Sequence, residues 1–299
     1  MRRSLLLAAI AITAFAVACG TDEEPAATDP DVERPFIIAT TSLLGDIVEN
    51  VVGPFADVEV LVPLGTDPTT YELTSRQQAR LREAALVFSV GGGFEAAATE
   101  DLDRAAAAGV DRFELATAVD DPLRGRGGDP VDPYVWLDPE HTADAVLALG
   151  NRLGEASAVL ATAEVTDAAA AYARSLREAS QAMEERLSDV TGRDVATGTR
   201  SLAYFGERFD IKIVGTIDAE GPTALVTRTV GAMDEAGTRV VLASTFEADS
   251  VAEVLAGQSE QTLEVQALHI DDLGEPTSAE GTYIGLLEEL ARQVRAELI

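Results

Sequence analysis

The chain has 299 residues, 52 acidic against 22 basic side chains, a formal charge of −30, one cysteine and two histidines. At roughly 150 residues per domain the length suggests two domains, and a hydrophobic content of 46% excludes a disordered acidic tail. The charge excludes electrostatic attraction to nucleic acid or to an anionic membrane surface. A single cysteine excludes an internal disulfide and a cysteine-based zinc site.

Residues 1–19 read as a bacterial export signal. Arg2 and Arg3 form a short positive start, and the apolar run at 4–17 is too short to span a bilayer. Ala16, Val17 and Ala18 precede the lone Cys19, which matches a lipoprotein acylation site; the attached lipid would anchor the chain to the outer face of a membrane. Residues 20–35 are acidic and proline-rich, and read as a flexible tether.

The rest alternates β-rich runs with amphipathic stretches. A strand is expected at 36–40 and a helix at 42–52, capped by Ser42 and carrying Leu43, Leu44, Ile47, Val48 and Val51 on one face. A second strand at 58–62 leads into a Pro/Gly-rich loop at 63–71. Thr74 or Ser75 caps a helix at 77–85. A third strand at 86–90 ends on Gly91, Gly92 and Gly93, followed by an alanine-rich helix and a strand at 110–115. After a polar loop at 118–133, Asp138 caps another helix, and 166–190 forms one long helix without Gly or Pro. The second half repeats the pattern, with strands at 194–198, 211–217, 239–243 and 263–268 and helices at 202–209, 223–236, 250–256 and 282–298. These elements predict an α/β protein: a lobe at 36–165 and a lobe at 191–299, each with a parallel sheet, bridged by the helix at 166–190. A ligand cleft is expected between the lobes, beyond the strand C-termini.

Several segments carry a resemblance. They are Ala39-Thr40-Thr41-Ser42 with Gly45-Asp46-Ile47-Val48, Pro63 to Glu72 (PLGTDPTTYE), and Gly91-Gly92-Gly93-Phe94-Glu95. Asp132 to Pro139 (DPYVWLDP), Ala203-Tyr204-Phe205-Gly206, Leu273-Gly274-Glu275-Pro276 and Thr282-Tyr283-Ile284-Gly285 continue the series. In this order, from Phe36 to the C-terminus, the chain resembles the zinc/manganese solute-binding lipoproteins of bacterial ABC transporters. The resemblance implies two α/β lobes joined by a long helix, a permease and an ATPase as partners, and Zn²⁺ or Mn²⁺ as cargo.

The resemblance also implies where the cargo would sit. Family members place histidines in three loops and a carboxylate late in the chain; those positions fall here on Thr69, Tyr134, Thr199 and Asp271. Only the carboxylate remains. The histidine-rich loop common before the second motif is replaced by Arg124-Gly125-Arg126-Gly127-Gly128. Zn²⁺ prefers imidazole and thiolate donors; a threonine hydroxyl is a weak donor, and a tyrosine phenol, with a reference pKa near 10, would have to lose its proton. An altered or lost metal site is therefore expected.

His269, with Asp271 or Asp272 and Tyr134, is a candidate rebuilt site, since His269 and Asp271 would share one side of an extended chain; the competing reading puts His269 half-buried at a strand end. His141 reads as a solvated residue in the first turn of a helix. Trp136 and Tyr204 read as core or cleft wall, and Glu95 as a cap, a cleft-lining group or a surface carboxylate. Gly91-Gly92-Gly93 lacks the Lys-Ser/Thr of a phosphate loop and reads as a turn. No Ser-His-Asp arrangement is supportable, so no enzyme is expected. The alternative to a solute receptor is a cell-surface adhesin or accessory protein with a vestigial cleft.

Overall fold

A computed structural model describes residues 33–125, 131–200, 202–256 and 262–299. The export signal, Cys19, most of the expected tether, and Arg126 to Gly128 lie outside the described residues.

The first sheet is built from β1 (Phe36–Ala39), β2 (Asp57–Val60), β3 (Leu86–Ser89) and β4 (Arg112–Glu114), all parallel in the order β2-β1-β3-β4. Between and after these strands run α1 (Ser42–Val52), α2 (Ser75–Leu81), α3 (Thr99–Ala107), α4 (Pro139–Ala156) and α5 (Ala163–Leu187). The second sheet repeats the order as β6-β5-β7-β8, from β5 (Asp194–Thr197), β6 (Lys212–Thr216), β7 (Val240–Ser244) and β8 (Glu264–Leu268). Its helices are α6 (Ala203–Phe209), α7 (Thr223–Ala236), α8 (Ala248–Ala256) and α9 (Tyr283–Leu298). The two α/β lobes with parallel sheets are as expected.

Local chemistry explains the helix starts. Thr74 forms a capping box with Gln77, and Asp138 accepts from the backbone N–H groups of Glu140 and His141. Thr41, rather than Ser42, caps α1. Ser42 is the first helical residue, and its Oγ instead accepts from the backbone N–H of Leu273 in the other half of the chain, at 2.9 Å. The long helix α5 starts three residues before the expected 166, where Thr162 caps it by accepting from Val165 N–H.

One apolar core runs through both lobes. It joins the α1 face (Leu43, Leu44, Ile47, Val48) to Trp136, α4, the inner stripe of α5 (Ala169, Leu176, Met183), and Phe205, Leu242 and α9. Smaller cores lie on the far faces of each sheet. Helix α5 packs along α4 and also against α1, α6 and α9. Asp46 ties the same region together by accepting from the hydroxyl of Tyr172 on α5 and from Tyr283 N–H at the start of α9, both at 3.1 Å. Burial pushes its carboxyl pKa up despite these bonds.

In each sheet the strand order reverses between the first and third strands, β1/β3 and β5/β7. Loops leaving such a switch point line the ligand crevice of open α/β sheets. These loops are 40–41 and 91–95 in the first lobe, and 198–200 and 244–247 in the second.

The first of these switch points is closed by its own side chain. Gly91, Gly92 and Gly93 all have positive φ, at 76°, 60° and 83°, a conformation that explains three consecutive glycines. The turn brings Glu95 back beneath the strands. Its Oε1 accepts from Thr40 Oγ1 (2.6 Å) and Val90 N–H (2.7 Å), and its Oε2 accepts from Gly91 N–H (3.1 Å). Glu95 is thus a buried clamp and neither a surface carboxylate nor an open ligand group. Burial raises its pKa, and the bonds oppose that rise. Glu95→Gln sets an amide N–H₂ against one of these donors. The expected cost is about 1–2 kcal/mol, read as a lowered urea midpoint; an unchanged midpoint would show that a donor is tolerated there.

Candidate functional site

Between the two switch points lies a cluster centred on Arg200. β5 ends at Thr197, and residues 198–200 turn toward the first lobe. Glu247, in the loop after β7, fixes this turn. Its carboxylate accepts from Thr199 N–H (2.9 Å), Thr199 Oγ1 (2.5 Å) and Arg200 N–H (3.2 Å). Gly198 makes the approach possible, because a Cβ there would stand 2.0 Å from Glu247 Oε1.

The Arg200 side chain, only 10% exposed, reaches across to the Pro/Gly-rich loop of the first lobe. Its Nη2 donates to Asp67 Oδ2 at 2.5 Å and approaches Thr69 Oγ1 at 3.3 Å. Asp67 is prepared for this, since its Oδ1 already accepts from Thr69 N–H (2.9 Å) and Thr69 Oγ1 (2.7 Å). Partial burial raises the Asp67 pKa, but the Arg200 and Thr69 bonds outweigh it and hold the carboxyl below its usual range. On its other side Arg200 Nη1 faces Asp271 Oδ1 at 3.5 Å.

Asp271 is fully buried. Its Oδ2 accepts from Ser244 Oγ. Burial pushes its pKa up to about 6, and Arg200 and Ser244 only partly offset this. Burial by itself would lower the Arg200 pKa, but the Asp271 and Asp67 carboxylates outweigh it and raise the pKa above the ordinary value, so the guanidinium stays protonated. Tyr134 completes the wall, with its ring centroid 5.6 Å from Phe94 and 4.9 Å from Trp136. Burial, followed by the Asp271 charge, drives its phenol pKa well above 10, so the hydroxyl is neutral.

Of the four positions that the resemblance assigns, Thr69, Tyr134 and Asp271 meet at Arg200. Thr199 does not join them; it is exposed and bound to Glu247. Arg200 was missed by the sequence reading because its neighbour Thr199 takes the aligned position. The available signal was a basic residue in a loop leaving the second sheet's switch point, in a chain with few basic residues.

Of the candidate rebuilt site, His269 and Asp272 come together, while Asp271 turns to a different partner. β8 ends at Leu268, so the two-residue alternation stops before His269. His269 Nδ1 lies 3.6 Å from Asp272 Oδ1, while Asp271 faces Arg200. Asp272 Oδ2 accepts from Gly65 N–H at 2.8 Å, a further link between the lobes. His141 is partly exposed and held to Asp138 at 2.7 Å. Trp136 and Tyr204 are buried; Trp136 Nε1 donates to Ile270 O at 2.7 Å, and Tyr204 OH accepts from Leu123 N–H at 2.9 Å.

The donors around Arg200 do not fit a nitrogen-ligand divalent cation. No imidazole is among them, the phenol is protonated, and the position between Asp67 and Asp271 is filled by a guanidinium. Among the described residues, no group of three or more His, Cys, Asp or Glu side chains is arranged to hold a metal ion.

Comparison with known proteins gives the lineage. The chain is 25% identical over 280 residues to the manganese-binding lipoprotein MntA of Halalkalibacterium halodurans, covering 91% of each chain. It is 25% identical over 304 residues to the protein of the same name in Bacillus subtilis, covering 96% of each. Its fold matches the periplasmic zinc-binding protein TroA of Treponema pallidum with a TM-score of 0.76 at 17% identity, covering 89% of this chain and 99% of that one. The family described as ZnuA, zinc-uptake complex component A, periplasmic, matches residues 37–297. The chain belongs to this family, and so to the substrate-binding proteins of metal ABC transporters, which are solute receptors and not enzymes.

Proposed function

We propose that this chain is the lipid-anchored, extracytoplasmic receptor of such a transporter, and that its cleft has exchanged the nitrogen-ligand cation site for an internal ion pair. The lipid attachment rests on Ala16-Val17-Ala18-Cys19 and on relatives that are themselves named lipoproteins. No helix among the described residues is long and apolar enough to cross a membrane, which suits attachment through Cys19. The partners are a permease and an ATPase of the metal-transport class. They would read the relative arrangement of the two lobes, which the cleft controls without covalent chemistry.

The observation that carries the altered site is the Arg200 guanidinium, paired with Asp67 of one lobe and facing Asp271 of the other. A divalent cation entering there would meet a fixed positive charge at contact distance. Titration calorimetry of the chain from Asp22 onward tests this. Neither Zn²⁺ nor Mn²⁺ should bind with micromolar or tighter affinity. Tight binding that is lost in Asp271→Ala would restore the ordinary metal site and overturn the reading.

A further inference from the structure

We propose that Arg200 is a tethered stand-in for the cargo cation, latching the two lobes together when no solute is present. In a two-lobed receptor a bound ligand favours the arrangement it contacts from both sides. Here one positive group belonging to the chain does so. Arg200 leaves the second lobe at the β5 switch point and donates to Asp67 of the first lobe, while Asp271 of its own lobe faces the same guanidinium.

Three features make this an aimed group instead of a chance surface pair. Glu247 holds the backbone of Thr199 and Arg200, so the side chain leaves from a fixed turn. Asp67 is oriented by two bonds from Thr69 before it meets Arg200. The arginine is largely enclosed, next to Tyr134 and with its guanidinium carbon 5.8 Å from the Phe246 ring centroid. A planar fork that stays charged at any ordinary pH suits a latch that must not depend on protonation.

The latch works beside other inter-lobe bonds, among them Gly65 N–H to the Asp272 carboxylate and Leu273 N–H to Ser42 Oγ. Those two amides report whether the lobes stay together. The solute-receptor reading is needed only to name what the guanidinium replaces; the latch is testable with neither solute nor permease present.

The test is hydrogen exchange at the Gly65 and Leu273 amides of the full chain in excess chelator. In the unaltered protein both should be protected. In Arg200→Ala both should exchange at least about tenfold faster, corresponding to the loss of a charge-assisted contact, with the β7 amides as a control for an intact fold. Asp67→Asn breaks the pair from the other lobe and should speed the same two amides. Equal protection in both variants and the parent would overturn the latch. So would a parent protein whose two amides are open in chelator and become protected only when Zn²⁺ or Mn²⁺ is added. That second result would also sink the altered-site reading, whereas the first would leave it standing.

Discussion

Replacing Trp136 with alanine is expected to lower unfolding free energy by about 3–5 kcal/mol, within the range for truncating a large buried aromatic. Trp136 is fully buried where the lobes meet. Its ring packs on Phe94 and Tyr134 with centroids 5.0 and 4.9 Å away. Its indole N–H satisfies the carbonyl of Ile270, and its own carbonyl accepts from the Tyr283 hydroxyl. Alanine leaves a cavity and an unpaired buried carbonyl together. Trp136→Phe separates the two effects, because it retains an aromatic ring and orphans only the Ile270 oxygen, at a cost of about 1–3 kcal/mol. The chain has a single tryptophan, so denaturation should be followed by far-ultraviolet circular dichroism. A loss below 1 kcal/mol for the alanine variant would mean that the ring is not part of the shared core. Because Ile270 adjoins Asp271, the same bond also positions the cleft carboxylate. Trp136→Phe should therefore loosen the Arg200–Asp271 contact more than a remote substitution of equal cost.

The fold was legible because its signals are local. The α1 and α7 spans follow from helical periodicity and could be read nearly residue by residue. The strand–helix alternation dictated parallel sheets before any pairing was known. Errors arose where a side chain had two partners to choose between. Ser42 looks like a cap because serine before an apolar run usually is one, yet Thr41 takes that role and Ser42 Oγ serves Leu273, 231 positions away. Glu95, a lone acid after a glycine turn, fits a cap, a cleft-lining group or a surface carboxylate equally well from sequence. Its burial depends on Thr40 Oγ1, 55 positions earlier. The site was half legible. Comparing loops picked out Thr69, Tyr134 and Asp271, but the residue that joins them lies one place beyond the aligned Thr199. Arg200 meets Asp67 across 133 positions, and no spacing rule anticipates that contact. The absence of the histidines was visible in the sequence; the guanidinium among the remaining groups was not.

The ion pair also predicts how stability changes with pH. Asp271 has a folded pKa of about 6 against an ordinary value of 3.8, because burial favours the neutral acid more than Arg200 and Ser244 favour the charge. The folded state therefore keeps a proton that the unfolded chain has already lost between those two values. Its contribution is fully present below the unfolded pKa and is lost as pH rises through the folded one. A shift of this size corresponds to about 3 kcal/mol across the window. Asp46 and Glu95, also raised by burial, act in the same direction. Asp67 acts in the opposite direction: its bonds to Arg200 and Thr69 outweigh burial and lower its pKa, so it contributes stability above the unfolded value that is lost in acid. Asp271→Asn isolates the buried group. Whatever its constant cost, the variant should gain on the parent by about 3 kcal/mol between roughly pH 3.5 and 7.5, measured by urea unfolding at each pH. A difference that stays flat would mean that Asp271 titrates in the folded protein as it does in the unfolded chain, with Arg200 and Ser244 fully offsetting its burial. A difference of the expected sign means that Asp271 is neutral below about pH 6. In that range Asp67 alone carries the charge that faces Arg200, and the hold between the lobes rests on that single pair.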